Sequence, residues 1–285
     1  MTSYGSIPAP CSSGGRHAPV AEAARQQDTE AVVEMLAQGH RADSQDPEGN
    51  TALHWVAWFR LDSLLHSLLA RGARADVGNA SGECPVHLAA KSTNVAALDA
   101  MTRANRALLS LRDCDGFTAF ILSARTDNCA IMEWMYLKGA SVEEQDDNGR
   151  TALHWACYNG NRKTVQWLLS RSASIIHRDR EGMTALHWAA LKGHEQVVDM
   201  LMSVGAAELV DVPNCAGETP ISLAMRKNNR YLLGVLHKPS TTYWEGRIYR
   251  TTTMPTSSCA SSLTTLLFLR LSSRQASPPG ILTPW

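Results

Sequence analysis

A short motif, TALH, returns along this chain at a nearly constant interval. Thr51 and Thr151 each begin the stretch TALHW, and Thr184 begins it again 33 residues after Thr151. The positions in register with these threonines, at intervals of 33 to 35 residues, are Ala18, Cys84, Thr118 and Thr219. This period predicts a stack of similar units, because a unit of 33 residues is too small to bury its apolar faces without neighbours.

Two further patterns share the period. An Asp or Asn followed three residues later by Gly precedes each motif, at Asp46, Asn79, Asp113, Asp146, Asp179 and Asn214. Most units close on a glycine, at Gly39, Gly72, Gly139 and Gly205, with Ser172 in the same slot. The Asp-x-x-Gly stretch predicts a tight turn, and the threonine after it predicts the N-cap of a helix. Apolar residues spaced as in Val165, Leu168 and Leu169 predict a second helix in each unit.

The unit therefore reads D-x-x-G-x-T-A-L-H-x-A-A, followed by V-x-x-L-L-x-x-G-A, and it resembles the ankyrin repeat. The resemblance covers residues 18–238 and predicts an all-α solenoid of about seven helix-turn-helix units. Residues 1–17 lie outside the pattern, and the stretch 239–285 is rich in Ser, Thr and Pro. We expect both of these segments to be disordered.

Composition restricts the environment and the partners of the chain. Its 27 basic and 27 acidic residues give no net charge, so nothing favours nucleic acid as a partner. No stretch approaches the roughly 20 apolar residues of a membrane-spanning helix. The seven cysteines are odd in number and form no CxxC pair, which predicts free, mostly buried thiols and a cytoplasmic location. We expect a monomer that has neither cofactor nor catalytic residues.

The repeated histidines His54, His154 and His187 have two interpretations. They could be metal ligands or general bases, or they could serve the architecture of each unit. One repeat separates neighbouring histidines by about 10 Å, which is too far for two of them to share an ion. The resemblance implies instead that each ring hydrogen-bonds the threonine three residues before it.

The concave face of such a solenoid is the expected binding surface for a protein or an extended peptide. Its candidate residues come from the inner helices and from the hairpins. They are Trp58, Phe59, Phe117, Arg150, Tyr158, Asn159, Met183 and Trp188. An exposed mixture of Trp, Phe, Tyr, Met and Arg is typical of the centre of a protein interface. For Trp58 and Phe59 the alternative is that they pack on the first unit as a cap.

Tryptophan follows the histidine in three units, and this HW form, together with the last unit, GETPISLAMRKNNRYLLGVLHK, resembles a narrower family. That family is the DHHC-type palmitoyltransferases, whose cytosolic ankyrin module precedes membrane helices and a catalytic Asp-His-His-Cys motif. The chain contains no such motif. The resemblance implies that Asn159 and Trp188 hold an extended peptide that contains proline. The sequence thus predicts a non-enzymatic binding module, with the substrate-recruiting part of a palmitoyltransferase as the alternative.

Overall fold

The computed structural model describes residues 19–237, and the predicted disordered segments 1–17 and 239–285 lie outside the described residues. Within this range the chain forms fourteen α-helices and no strand. The helices are α1 (Pro19–Arg25), α2 (Thr29–Ala37), α3 (Ala52–Phe59), α4 (Asp62–Ala70), α5 (Pro85–Lys91), α6 (Val95–Ala104), α7 (Ala119–Arg125), α8 (Cys129–Leu137), α9 (Ala152–Asn159), α10 (Arg162–Ser170), α11 (Ala185–Lys192), α12 (Glu195–Ser203), α13 (Pro220–Arg226) and α14 (Arg230–Leu236). None of them is both long enough and apolar enough to cross a membrane.

The helices form seven consecutive pairs, which confirms the predicted all-α array of about seven units. Each odd-numbered helix packs on the odd-numbered helices before and after it, as α9 does on α7 and α11. We call the surface made by these inner helices and the hairpins the concave face. The two intervals longer than 33 residues, from Cys84 to Thr118 and from Thr184 to Thr219, hold short 3-10 helices at Arg106–Ser110 and Ala206–Leu209.

The hairpins before the inner helices stack on one another through main-chain hydrogen bonds. The Cys114 amide donates to the Ser81 carbonyl over 3.0 Å, and the Arg180 amide donates to the Asn148 carbonyl over 2.9 Å. Each hairpin glycine has a positive φ, and the contact is close at Gly116. A Cβ on Gly116 would lie 2.5 Å from the next hairpin's main-chain nitrogen. Glycine is thus needed there for its dihedrals and for the close approach.

The second helices supply much of the core, as their apolar spacing predicts. Val165, Leu168, Val198 and Leu201 are fully buried, whereas Leu169 is only half-buried. The cysteines follow their predicted burial only in part. The thiols of Cys84 and Cys157 are buried, that of Cys129 is half-buried, and those of Cys114 and Cys215 are exposed. The prediction of mostly buried thiols is wrong for the last two, because they lie in the hairpins, where the chain turns at the surface.

Two of the repeated histidines, His54 and His154, link neighbouring units. The ring Nδ1 of His54 lies 2.9 Å from the Thr51 hydroxyl and also accepts the Thr51 backbone N–H over 3.0 Å. A backbone N–H can only donate, so we assign the proton to Nε2, which lies 2.8 Å from the Glu83 carbonyl oxygen of the next hairpin. His154 repeats this arrangement with Thr151, and His187 makes the same bond to Thr184. The predicted bond between threonine and histidine is therefore confirmed.

Every unit also places one residue in the left-handed region at the end of its inner helix. Glycine occupies this slot at Gly160 and Gly193, but in the third unit it holds Thr93, with a φ of 60°. A β-branched residue is unfavourable there because its Cβ approaches the following carbonyl oxygen.

We expect Thr93→Gly to raise the free energy of unfolding by about 0.5–1 kcal/mol, because glycine relieves this strain. Urea unfolding followed by circular dichroism measures the change. Thr126→Gly is the control, because the φ of Thr126 is −97° and glycine relieves nothing there. An equal rise in the unfolding midpoint of both variants would contradict the assignment of strain to Thr93.

The array should lose stability between pH 7.5 and pH 5. Burial lowers the pKa of His54 and His87, and it lowers the pKa of His154 and His187 to about 4. The corresponding pKa in the unfolded chain is about 6.5. Below that pH the unfolded chain binds protons that the folded chain excludes, so the free energy of unfolding declines from pH 6.5 towards pH 4. For His154 the loss at pH 5 is roughly 2 kcal/mol.

Urea midpoints at the two pH values measure this loss. His154→Gln should reduce the pH dependence, because the variant no longer carries the group whose protonation opposes folding. His40→Gln, which removes an exposed histidine, is the matched control. A midpoint that is the same at pH 5 and pH 7.5 in the wild-type chain would show that the histidines do not resist protonation.

Candidate functional site

The tryptophans of the HW motif are fixed by aspartates of their own hairpins. The indole N–H of Trp55 donates to Asp46 over 2.9 Å, and the indole N–H of Trp155 donates to Asp146 over the same distance. In the sixth unit Trp188 repeats the bond with the hairpin aspartate nine residues before it, over 3.0 Å. The nine-residue spacing between aspartate and tryptophan is visible in the sequence of three units, but the hydrogen bond becomes evident only in the structure.

The same carboxylates organise the hairpins. While Asp146 Oδ2 accepts the indole N–H, Oδ1 accepts the backbone N–H groups of Asn148 and Arg150 over 2.9 and 2.8 Å. One buried side chain thus shapes the turn and orients the tryptophan ring on the inner helix. At the position that follows the motif histidine, tryptophan occurs only in units whose hairpin begins with Asp. The units whose hairpins begin with Asn79 and Asn214 carry leucine at this position.

The oriented rings form a continuous surface over the fourth to sixth units, which we call the aromatic–arginine ladder. It consists of Phe117, Arg125, Arg150, Trp155, Tyr158, Trp188 and Lys192. The ring of Tyr158 lies edge-on between Trp155 and Trp188, with centroids 5.5 and 5.4 Å away. The Arg150 guanidinium lies 5.3 and 4.8 Å from the centroids of the same two tryptophans. Aromatic and cation–π contacts therefore join side chains from neighbouring units.

The structure corrects the predicted exposure of three candidate residues. Phe117, Met183 and Trp188 are buried, with only 7%, 3% and 8% of their surface exposed. Trp188 cannot offer a free ring face, because Tyr158 and Arg150 already cover it. Met183 packs with Trp188 and Leu223 instead of facing solvent.

Asn159 is exposed, but its amide has a structural partner. The Nδ2 group donates to the Arg125 carbonyl oxygen over 3.0 Å, and Asn161 donates to the same oxygen over 3.1 Å. These bonds satisfy the free carbonyl at the end of α7 and hold it against α9. One of the two N–H groups of the Asn159 amide is therefore engaged within the array, so the resemblance's peptide-holding role for Asn159 and Trp188 stays a prediction.

The remaining candidates separate into two places. Trp58 and Phe59 are half-buried on α3, where Phe59 stacks on Trp55 with a centroid distance of 6.0 Å. Two inner helices, α5 and α7, separate them from Tyr158 and Arg150 on the ladder. The structure thus brings Tyr158 and Arg150 together and leaves the two aromatic residues of α3 apart.

Three cations surround Tyr158. Lys192 Nζ lies 4.0 Å from the centroid of the Tyr158 ring. A hydrogen bond from Lys192 is the main cause that lowers the pKa of the Tyr158 phenol, and the charges of Arg150 and Arg125 act in the same direction while burial opposes them. Arg150 is neutralised by Asp179 at 3.6 Å and Glu181 at 3.4 Å. Within residues 19–237, neither Arg125 nor Lys192 forms an ion pair with a carboxylate.

Metal-binding groups and buried thiols were the remaining candidates for reactive chemistry among the residues that the structure describes. It contains no group of three or more His, Cys, Asp or Glu side chains that could hold a metal ion. Burial raises the pKa of the Cys157 thiol, and it raises the pKa of Cys84 to about 11. Both thiols are therefore poor nucleophiles.

Comparisons with known proteins agree with this architecture. A family model described as ankyrin repeats in three copies matches the stretches 20–107, 53–146, 94–179, 120–214 and 172–241. The crystal structure of the ankyrin repeat domain of Bcl-3, described as a unique member of the IkappaB protein family, has 26% sequence identity and a TM-score of 0.64. The match covers 77% of this chain and 98% of that domain.

A curated relative matches over a shorter stretch. Neurogenic locus notch homolog protein 1 of Xenopus tropicalis is 30% identical over 118 residues, which is 41% of this chain and 5% of that protein. The chain thus spans about a twentieth of the length of this relative. None of these matches is a DHHC-type palmitoyltransferase, so the narrower resemblance stays a prediction from the sequence.

We expect Trp155→Phe to lower the free energy of unfolding by about 1–3 kcal/mol. Phenylalanine keeps a ring in the ladder but removes the indole N–H, which leaves the buried Asp146 Oδ2 without its donor. Chemical unfolding measures the loss. Trp58→Phe is the matched control, because the Trp58 indole has no hydrogen bond among residues 19–237. Equal losses for the two variants would show that the indole–carboxylate bond has no stabilising role.

Proposed function

Because the chain belongs to the ankyrin-repeat family, we propose that it is a non-enzymatic module that binds another protein on its concave face. The observation that carries this proposal is the aromatic–arginine ladder. Tryptophan, tyrosine and arginine are the residues that dominate binding energy in protein interfaces. The ladder places them side by side on three consecutive units.

Contacts within the array also hold the ladder in place in the absence of a partner. The Asp146 carboxylate holds the Trp155 ring, and the Arg125 guanidinium lies 5.5 Å from the centroid of that ring. Side chains that are ordered in the free protein lose less conformational entropy on binding. Tyr158 is half-buried and Arg125 is exposed, so these two residues are the accessible part of the ladder. We therefore propose Tyr158 and Arg125, and not Asn159 and Trp188, as the residues that make the main contacts with the partner.

The comparisons support a binding role at a coarser level. The similar solved structure is an ankyrin repeat domain, and the Notch homologue contains a stretch that this chain matches. Free cysteines, two of them exposed, fit a reducing compartment, and we propose the cytoplasm as the location. We further infer that the chain acts as a monomer whose concave face is open to a partner.

We expect Tyr158→Ala to weaken partner binding at least tenfold, equivalent to about 1.4 kcal/mol, because it removes the accessible aromatic ring of the ladder. The partner can be identified by replacing Tyr158 in the full-length chain with a photo-crosslinking amino acid and analysing the products by mass spectrometry. Its affinity for the wild-type chain and for Tyr158→Ala is then measured by calorimetry.

Tyr231→Ala is the control for this measurement. Tyr231 is 50% exposed on α14, a second helix outside the ladder. A partner that loses the same affinity with either variant, or that keeps full affinity for a folded Tyr158→Ala chain, would show that the ladder is not the binding surface.

A further inference from the structure

Two aromatic rings hold the exposed Arg125 side chain in place. Its guanidinium carbon lies 5.3 Å from the Phe117 ring centroid and 5.5 Å from the Trp155 ring centroid. The two rings contact the guanidinium without accepting its N–H groups in an ion pair, and no carboxylate within residues 19–237 lies within ion-pair distance of it. An oriented guanidinium edge matches the two oxygens of a carboxylate.

The cations of the concave face differ in whether the chain neutralises them. Lys91 pairs with Glu83, and Arg226 lies 2.6 Å from Glu218. Arg125 and Lys192 have no such partner among the described residues, although both are exposed. Lys227, at the position of Lys192 in the last unit, is also exposed and without an ion pair inside residues 19–237. The concave face of these units therefore carries exposed cations that no carboxylate within residues 19–237 neutralises.

The two unpaired charges lie close enough to contact one short segment. Arg125 is 5.5 Å from the Trp155 centroid, which is 5.5 Å from the Tyr158 centroid, and Lys192 Nζ is 4.0 Å from the Tyr158 centroid. The two cationic groups are therefore at most about 15 Å apart. An extended chain advances about 3.3 Å per residue, so carboxylates two or four residues apart on one side of a strand can reach both cations.

We propose that the partner of the concave face presents an extended acidic segment, in which one carboxylate binds Arg125 and a second binds Lys192 across the ring of Tyr158. This inference rests on the proposed binding function and specifies the chemistry of the partner. Arg125 donates two N–H groups to the oxygens of the first carboxylate, while Lys192 acts as a point charge for the second. The Tyr158 ring between them contacts the apolar part of the segment.

The first test uses a defined peptide probe with the full-length chain. A fluorescein-labelled dodecapeptide of six Ala-Glu units places carboxylates on one side of an extended strand, and six Ala-Gln units give a neutral match. Fluorescence anisotropy should show binding of the Glu peptide, at least tenfold weaker binding of the Gln peptide, and loss of affinity between 50 and 300 mM salt. Equal affinity for the two peptides, or no binding of the Glu peptide up to millimolar concentration, would overturn the proposal.

The second test uses charge-matched variants. Arg125→Gln/Lys192→Gln should weaken binding of the Glu peptide at least tenfold. Arg162→Gln/Lys163→Gln removes one arginine and one lysine from exposed positions on α10, a second helix, and should leave the affinity unchanged. Circular dichroism establishes that both variants are folded. Equal weakening in the two variants, or equally tight binding of a dodecamer of thymidylate at the same face, would show a general attraction for anions and overturn the proposal.

The partner captured through Tyr158 separates this inference from the proposed function. Suppose that Tyr158→Ala weakens binding of that partner but Arg125→Gln/Lys192→Gln does not. The proposed binding surface would then be supported, and the proposal that the partner is acidic would be wrong. If neither variant has an effect, the concave face is not the binding surface and both proposals fall.

Discussion

A buried histidine that bonds to two units at once is the interaction on which the array depends. His54 accepts from Thr51 in its own unit and reaches the Glu83 carbonyl of the next hairpin. The isolated unit cannot make the second bond and cannot bury the ring. The same side chain therefore caps its own helix and fixes the distance to its neighbour, which is why the motif recurs where neighbours must stack.

The tryptophan after this histidine extends the arrangement to the surface. Its bond to the hairpin aspartate orients the ring, and the oriented ring then positions arginines from adjacent units. Arg150 contacts two tryptophans and two carboxylates, so it stabilises the array, whereas Arg125 contacts two rings and pairs with no carboxylate among the described residues. Two arginines in one ladder thus have different roles because only one of them has acidic neighbours.

Periodicity made the fold predictable, because threonine, glycine and the hairpin acid each act within a few residues of their own position. The site was less predictable, because its burial and pairing arise between units. Trp188 looked exposed from its place on the helix, but Tyr158 and Arg150 of the previous unit cover it. Asn159 looked free for a ligand, but its partner is a carbonyl 34 residues away. Contacts between residues so far apart in sequence depend on how neighbouring units pack. The repeat pattern does not specify which side chains at the variable positions then meet.

The hairpin hydrogen bonds give the array a direction, since each hairpin donates an amide to the carbonyl of the hairpin before it. Inserting or removing one whole unit keeps every donor opposite an acceptor, whereas a partial insertion interrupts the row. Gene rearrangements that duplicate whole repeats are therefore the tolerated route to a longer array. Duplication of a whole unit on the N-terminal side of Phe117 would leave the residues of the ladder and their contacts unchanged. The array would then become longer while its recognition surface is retained.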